Sequence, residues 1–176
     1  MCDGYNEFII AGVDCSSSSR EDEFYFDFGA YGVDIDGVQY HTDNSNLGDI
    51  WTGEEDTRAI IRQTAGKTDE EGIVGAPAAE AAWNYKACSN DPLQWYLPSI
   101  SELLLMFFDK TKINDFLYKY FGAGGIYDDN DYWYWSSTLY DKDSSSWYVP
   151  MRGGSSYIGY YERYGTFRVR AVSFAK

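Results

Sequence analysis

"WYLPSISELLLMFF", residues 95–108, is the stretch of this chain that decides the fold. Ser99 stands three residues before Glu102 and directly ahead of the apolar run 103–108. A Ser followed by a Glu at this distance is the pattern of a capping box, in which the two side chains satisfy free backbone amides in the first turn of a helix. The stretch therefore predicts a helix that begins after Ser99.

Two further helices are predicted on either side of this one. "GAPAAEAAWNYKACSN", residues 75–90, is rich in Ala, the strongest helix former, and Pro77 suits a first-turn position. "INDFLYKYFG", residues 113–122, predicts a shorter helix that ends at Gly122 or Gly124, because glycine tolerates the left-handed conformation that follows many helices. Residues 55–72 fit no single pattern.

Strands are predicted before and after this helical middle. Residues 1–55 are strand-rich, with short alternations of apolar and polar residues and a hairpin predicted at Asp36–Gly37. From Trp133 onward, strands return between long polar loops. This order predicts an α+β fold, a single domain over residues 1–176 with helices packed on antiparallel sheets.

Charge and composition exclude several classes of partner. The chain has 28 acidic and 14 basic residues, a net charge of −14. Nucleic acids and anionic membranes attract proteins through Lys and Arg, so we expect neither as a partner. No signal peptide and no membrane-inserting segment are predicted, because no apolar run is long enough and the first residues lack a basic region. Aromatic residues make up 19% of the chain, which predicts that some rings are exposed.

No catalytic, cofactor or metal site is predicted. The three cysteines form no CxxC pair, which argues against a zinc site and against a disulfide framework. His41 is the single histidine and has no identifiable nucleophile as its partner. "DNSNLGDIWTGE", residues 43–54, has the spacing of a calcium-binding loop, but Leu47 occupies a position that needs an oxygen ligand.

Five segments resemble, in the same order, the C-type-lectin-like domains of variable proteins from diversity-generating retroelements of phages and bacteria. They extend from about Ala78 to Phe174 and read "AAWNYKACSNDPLQWYLPSISEL", "INDFL", "YWYWSSTLY", "SSWYV" and "RVRAVSF". The first ~50 residues match this family only loosely. The resemblance implies a C-type-lectin-like fold, which is also used by bacterial surface domains that are not diversified.

In that family, a reverse-transcribed template rewrites adenines near the 3′ end of the gene, chiefly in Asn codons, and the rewritten residues form the ligand-binding face. The resemblance therefore implies that residues 127–176 are the candidate variable region. Codons rewritten in this way never encode Lys, Glu, Gln, Met or Trp. Four residues are thus expected to be fixed or changed by another route: Lys142, Trp147, Met151 and Glu162.

The composition of this region agrees with a binding face. Nine of the 17 tyrosines lie between Tyr127 and Tyr164, and Tyr, Ser and Gly are also the main residues of antibody paratopes. The residues expected to contact a ligand are Asp141, Asp143, Ser145, Ser146, Arg152, Gly153, Ser155, Ser156, Tyr157, Tyr160, Tyr161, Arg163 and Tyr164. The residues expected to form the scaffold are Trp135, Trp147, Arg168 and Arg170, with both arginines holding charged partners.

The expected function is non-enzymatic recognition of a variable protein or cell-surface ligand, on a phage virion tail or a bacterial cell surface, with a homo-oligomer among the expected states. The alternative is an undiversified bacterial surface adhesin or structural domain on the same scaffold. Formylglycine-generating oxidases also resemble this scaffold, but they use cysteines late in the chain. Every cysteine here stands at or before residue 88, so oxidase chemistry is not expected.

Overall fold

The structure is a computed structural model that describes residues 7–16, 24–38, 40–122, 125–126, 132–152 and 158–175. In these ranges the chain forms an α+β fold with antiparallel strands, as predicted, but it has four α-helices where two main helices and a shorter third were expected. The helices are α1 (Gly53–Thr64), α2 (Pro77–Trp83), α3 (Ile100–Phe108) and α4 (Lys110–Phe121). The strands are β1 (Glu7–Ile10), β2 (Phe26–Asp27), β3 (Trp133–Leu139), β4 (Ser145–Pro150), β5 (Gly159–Glu162), β6 (Thr166–Phe167) and β7 (Val172–Ala175).

Helix α3 begins where the capping box predicted. The Ser99 side chain accepts a hydrogen bond from the Glu102 amide, and the Ser99 amide donates to Glu102 Oε2 at 2.6 Å. Both residues are buried, and Tyr96 Oη donates to the second oxygen of Glu102 at 3.0 Å. Burial of the carboxyl is the main reason why the pKa of Glu102 is raised.

Helix α2 is shorter than predicted, because it ends at Trp83 rather than near residue 90. Pro77 does lie in its first turn. Beyond Trp83, the Asp91 carboxylate accepts hydrogen bonds from the amides of Ala87 and Leu93 and from the indole of Trp95. These side-chain bonds give the backbone an alternative to the helical pattern, so the chain turns instead of continuing as a helix.

Helices α1 and α4 correspond to the two remaining stretches of the helical middle. Helix α1 occupies most of the stretch that fits no single pattern. Helix α4 ends at Gly122, which has a φ of 71° and caps the helix in the left-handed conformation. None of the described helices is both long and apolar enough to span a membrane.

The predicted hairpin at Asp36–Gly37 is wrong. Gly37 makes a turn with a φ of 82°, but residues 28–38 contain no strand. The turn is tied to helix α1 instead, since the Gln63 side chain accepts from the Asp36 amide and donates to the Asp36 carbonyl. The nearest strand, β2, pairs with β6 near the end of the chain, with Phe26 opposite Phe167.

The core lies on both sides of strand β3, in a three-stranded sheet with the order β3-β4-β5. Successive side chains of a strand point to opposite faces. Trp135 therefore packs into a cluster with Phe28, Ile60 and residues of α2, whereas Tyr134 packs into a second cluster with residues of α3 and β4. Trp135 and Trp147 are both fully buried, as expected for scaffold residues.

The scaffold arginines hold a charged partner, as predicted. Arg168 Nη1 and Arg170 Nε lie 3.1 and 2.7 Å from the oxygens of Asp14, which also accept a hydrogen bond from Tyr134 Oη. Asp14 follows β1, and Arg170 precedes β7. These two strands pair with each other, so the ion pairs fasten the beginning of the described chain to its end.

Candidate ligand-binding face

Most of the predicted contact residues lie in strand β5 or close to it in the sequence. Four of those residues lie outside the described ranges: Gly153, Ser155, Ser156 and Tyr157. The other nine are described: five are exposed, three are buried and Asp141 is half-buried.

Tyr160 is exposed on one face of the sheet, at 51% of its surface. Its ring stacks on that of Tyr140, with centroids 3.6 Å apart and an angle of 8° between the planes. A hydrogen bond with Tyr160 raises the pKa of the Tyr140 hydroxyl. Beneath the pair, Trp147 presents its ring edge to Tyr160, and its indole nitrogen donates to the His41 carbonyl at 2.9 Å. Tyr160 is thus an exposed ring that packs against the half-buried Tyr140 and the buried Trp147.

Tyr161 and Tyr164 are exposed on the opposite side, each at 41% of its surface. Tyr161 packs against Phe167, with ring centroids 5.5 Å apart. Gly165 leaves room for this ring, because a Cβ at residue 165 would clash with the Tyr161 side chain. Tyr164 meets Tyr31 edge to face at 5.1 Å. The predicted tyrosines therefore form two clusters separated by the strand.

Asp141 organises the turn between β3 and β4. Its carboxylate accepts from the Ser144 amide at 2.8 Å, from the Ser144 hydroxyl at 2.6 Å and from the Ser145 amide at 2.7 Å. Partial burial opposes its ionisation, but these hydrogen bonds prevail and hold the pKa of Asp141 below its usual value. Asp143 is exposed in the same turn, so Asp141 shapes the loop while Asp143 is presented to solvent.

Arg163 is buried, so the prediction that it belongs to the exposed face is wrong. None of its surface is accessible, and its guanidinium donates to the carbonyls of Ala30, Val33 and Asp141 at 3.0–3.2 Å. Burial lowers the pKa of Arg163 to about 10, which leaves it charged at neutral pH. Its carbonyl accepts from the Gly29 amide at 2.9 Å. Arg163 therefore joins the turn after β3 to residues 29–33 and is part of the scaffold.

Ser145 and Ser146 are also buried, so the prediction that they are presented on the surface is wrong. The Ser146 hydroxyl donates to the carbonyls of Ser136 and Thr138 at 3.1 and 2.9 Å. These carbonyls lie where the register between β3 and β4 shifts, and the hydroxyl satisfies oxygens that the regular ladder leaves free. Ser146 thus stabilises the sheet.

Five of the described contact residues are exposed, and they form the described part of the candidate ligand-binding face: Asp143, Arg152, Tyr160, Tyr161 and Tyr164. Sequence reasoning missed the residues that complete the face from other segments: Tyr31, Asp34, Tyr40 and Tyr140. The loop 29–34 lies against the β3–β4 turn, because the Gly32 amide donates to the Asp143 carbonyl at 2.7 Å. Gly29 and Gly32 both have positive φ, and this pair of glycines around Tyr31 was the sequence signal for a tight, presented loop.

The face is acidic near Glu162. Lys142 is exposed but is paired with Asp34 at 2.9 Å, and Arg163 is inside the protein. Glu162 is the main reason why the pKa of Tyr164 is raised, and Glu71 acts in the same direction. The negative potential at this end of β5 therefore acts on the exposed Tyr164 hydroxyl.

The calcium-like stretch 43–54 has a different structural role. Leu47 is buried within a 3₁₀ turn, Leu47–Asp49, and the Asp43 carboxylate accepts from the Ser45 amide at 2.8 Å. Ser101 Oγ donates to the Leu47 carbonyl, which ties the turn to α3. Within the described ranges, no group of three or more His, Cys, Asp or Glu side chains could hold a metal ion.

Comparison with known proteins gives no match to this chain among family models, curated proteins or solved structures. The resemblance to retroelement variable proteins thus rests on the sequence segments that carry it.

Proposed function

We propose that this protein is a non-enzymatic recognition protein with a C-type-lectin-like scaffold, whose C-terminal region is diversified by a retroelement to display variable residues. In this proposal, the exposed residues of the turn after β3, of β5 and of the turn after β5 form the variable part of the ligand face. The α+β arrangement, with helices packed on antiparallel strands, is compatible with that scaffold.

The observation that supports the proposal best is the separation of exposed from buried residues within one short segment. Tyr160, Tyr161 and Tyr164 are exposed, while the neighbouring Trp147 and Arg163 are buried and bonded to distant parts of the chain. A surface that varies between gene copies needs this arrangement, since substitutions must change side chains in solvent and leave the scaffold bonds intact.

A comparison of folding between two libraries tests this arrangement directly. The first library has NNC codons at Tyr160, Tyr161 and Tyr164, and the second has the same codons at Ser146, Trp147 and Arg163. We expect most members of the first library to stay folded, because each exposed substitution changes the free energy of unfolding by about 1 kcal/mol or less. Most members of the second should unfold. Equal survival in a display-and-proteolysis assay would contradict a division into scaffold and display residues.

The DNA sequence around the gene tests whether a retroelement diversifies the C-terminal region. We expect a near-copy of the segment encoding residues 127–176 beside a reverse-transcriptase gene, with Asn codons at the exposed positions. Sibling genes should then differ at Asp143, Tyr160, Tyr161 and Tyr164 and agree at Trp147. Differences scattered over the whole chain, without a template copy, would instead support the undiversified adhesin or structural domain.

A further inference from the structure

Strand β5 has one edge that no described strand covers. In the sheet order β3-β4-β5, it pairs only with β4. The Arg163 amide donates to the Ser144 carbonyl at 2.9 Å. In an antiparallel pair, residues alternate between pointing their backbone groups toward the neighbouring strand and away from it, so this bond shows which residues of β5 point toward β4. Tyr161 and Gly159, two and four residues before Arg163, therefore point their backbone groups toward β4. Tyr160 and Glu162 point theirs toward the open edge. The Tyr160 amide and carbonyl and the Glu162 amide therefore face outward.

An exposed strand edge is a template for a further strand, because its outward amides and carbonyls can form the next ladder. Proteins often block such edges with prolines or bulges, and residues 159–162 carry neither. The rings of Tyr160 and Tyr161 flank this edge on opposite faces of the sheet. A strand added there would place alternate side chains against one ring or the other.

Charge indicates what kind of strand the edge favours. Glu162 lies on β5 itself, and Asp141 and Asp143 lie near the buried Arg163 at the same end, so three carboxylates outnumber this one cation. Lys142 is paired with Asp34, and Arg152 follows the far end of β4. A partner with positive side chains near Glu162 would gain from this field and from cation–π contact with the tyrosines.

We propose that the open edge of β5 binds an extended segment of a partner protein that carries Arg or Lys side chains, by adding a strand to the sheet. This inference rests on the proposed function, because it names the chemistry of the ligand at that same face. The partner's backbone bonds to Tyr160 and Glu162, and its basic side chains lie toward Glu162.

Three short peptides test the proposal on the full chain in about 0.15 M salt, where screening is physiological. The first alternates Arg and Thr, the second alternates Glu and Thr, and the third is the Arg peptide methylated at every backbone amide. Titrations followed by amide NMR report both the affinity and the site. We expect the Arg peptide to shift the Tyr160 and Glu162 amides and to bind at least about tenfold more tightly than either analogue.

Each other outcome overturns the proposal in a different way. Equal binding of the methylated peptide means that charge alone attracts the ligand, without a new strand. Equal or tighter binding of the Glu peptide means that the partner is not basic. If no peptide shifts the amide resonances, the edge of β5 does not accept a further strand. All three results leave the library and gene tests of the proposed function unaffected.

Variants test whether the Arg peptide binds at the edge of β5 or elsewhere on the surface. Tyr160→Pro removes the outward amide, and Glu162→Gln removes the charge, so each should weaken binding of the Arg peptide by about tenfold or more. Tyr118→Ala and Asp115→Asn, both exposed on α4, are the matched controls and should change nothing. If Tyr160→Pro fails to fold, Glu162→Gln and the methylated peptide still decide the result. Sedimentation of the chain alone tests whether a second copy binds at this edge. A dimer that persists in Glu162→Gln but is lost in Tyr160→Pro would show that a second copy occupies the edge, and it would overturn the proposal.

Discussion

Arg163 Nη2 donates to the main-chain oxygen of Asp141 at 3.0 Å, although the segment between them is rich in tyrosine and serine. The same guanidinium reaches Ala30 and Val33, which are more than a hundred residues away along the chain. One buried cation thus sets the relative positions of two loops that border the candidate face.

Arg163→Ala should lower the free energy of unfolding by about 3 kcal/mol or more, because three carbonyls, one buried and two half-buried, lose a charged donor. Arg163→Lys should recover only part of this loss, since an ammonium cannot reproduce the fork of donors. The control is Tyr164→Ala, which removes an exposed neighbouring ring and should lower it by about 1 kcal/mol or less. Urea unfolding measures all three. A loss at Arg163 no larger than that of the control would contradict a scaffold role.

Gly53→Ala should destabilise the protein by about 1 kcal/mol or more, although Ala is the better helix former. A Cβ on Gly53 would lie 2.8 Å from the Tyr96 ring and 2.9 Å from the Ser99 amide, and it would also clash with Glu102. The matched variant is Gly48→Ala, whose Cβ would meet no atom within 4 Å. It should be neutral or slightly stabilising in thermal unfolding. The two substitutions are expected to have opposite or clearly different effects.

Asp56→Asn should reduce the loss of stability that the protein shows as the pH rises. Burial, opposed by the Thr52 hydrogen bond, raises the pKa of Asp56 from 3.8 to about 7. Between these values the folded protein keeps a proton that the unfolded chain has released, so the free energy of unfolding falls as the pH increases. From about pH 5 to about pH 8 this amounts to about 2 kcal/mol.

The measurement for Asp56 is urea unfolding at both pH values. Buried Glu102, whose pKa is also raised, contributes a slope of the same sign and remains in the variant. Asp115→Asn is the control, because it removes an exposed carboxylate and should leave the slope unchanged. An unchanged slope in Asp56→Asn would mean that Asp56 is ionised in the folded protein at neutral pH.

Cys15 and Cys88 should differ strongly in their reaction with iodoacetamide. Cys15 is buried, and its burial raises the pKa of the thiol to about 12, whereas Cys88 is exposed. The thiolate is the reactive form, so Cys15 should react more than about a hundredfold more slowly in the native protein. Peptide mass spectrometry of a Cys2→Ser variant measures both rates. In urea the two rates should converge, and fast native labelling of Cys15 would contradict its burial.

Local signals predicted the start of α3 and the end of α4, because the interactions that define a helix end lie within a few residues. The Ser99–Glu102 cap and the Gly122 terminus are examples. Helix α2 was overestimated because Asp91, beyond its observed end, bonds back to the Ala87 amide and competes with helical hydrogen bonds. Local propensity alone does not show that competition.

Long-range pairing could not be predicted in the same way. Strand β2 pairs with β6, about 140 residues later, and a two-residue strand carries no periodic signal. Arg163 was assigned to the ligand face because it lies in the candidate variable region that the resemblance implies, whereas its acceptors are carbonyls, which every residue type provides. The tyrosines were expected to be exposed, and Tyr160, Tyr161 and Tyr164 are.

The alternation of side chains along β5 separates neighbouring codons in space. Residue 160 contacts Trp147 and Tyr140, whereas residue 161 contacts Phe167, so the two positions share no ring partner. Adjacent side chains on a strand point to opposite faces, so each of these two positions has its own surroundings. A single pair of neighbouring mutations can therefore alter two sides of the molecule through separate ring contacts.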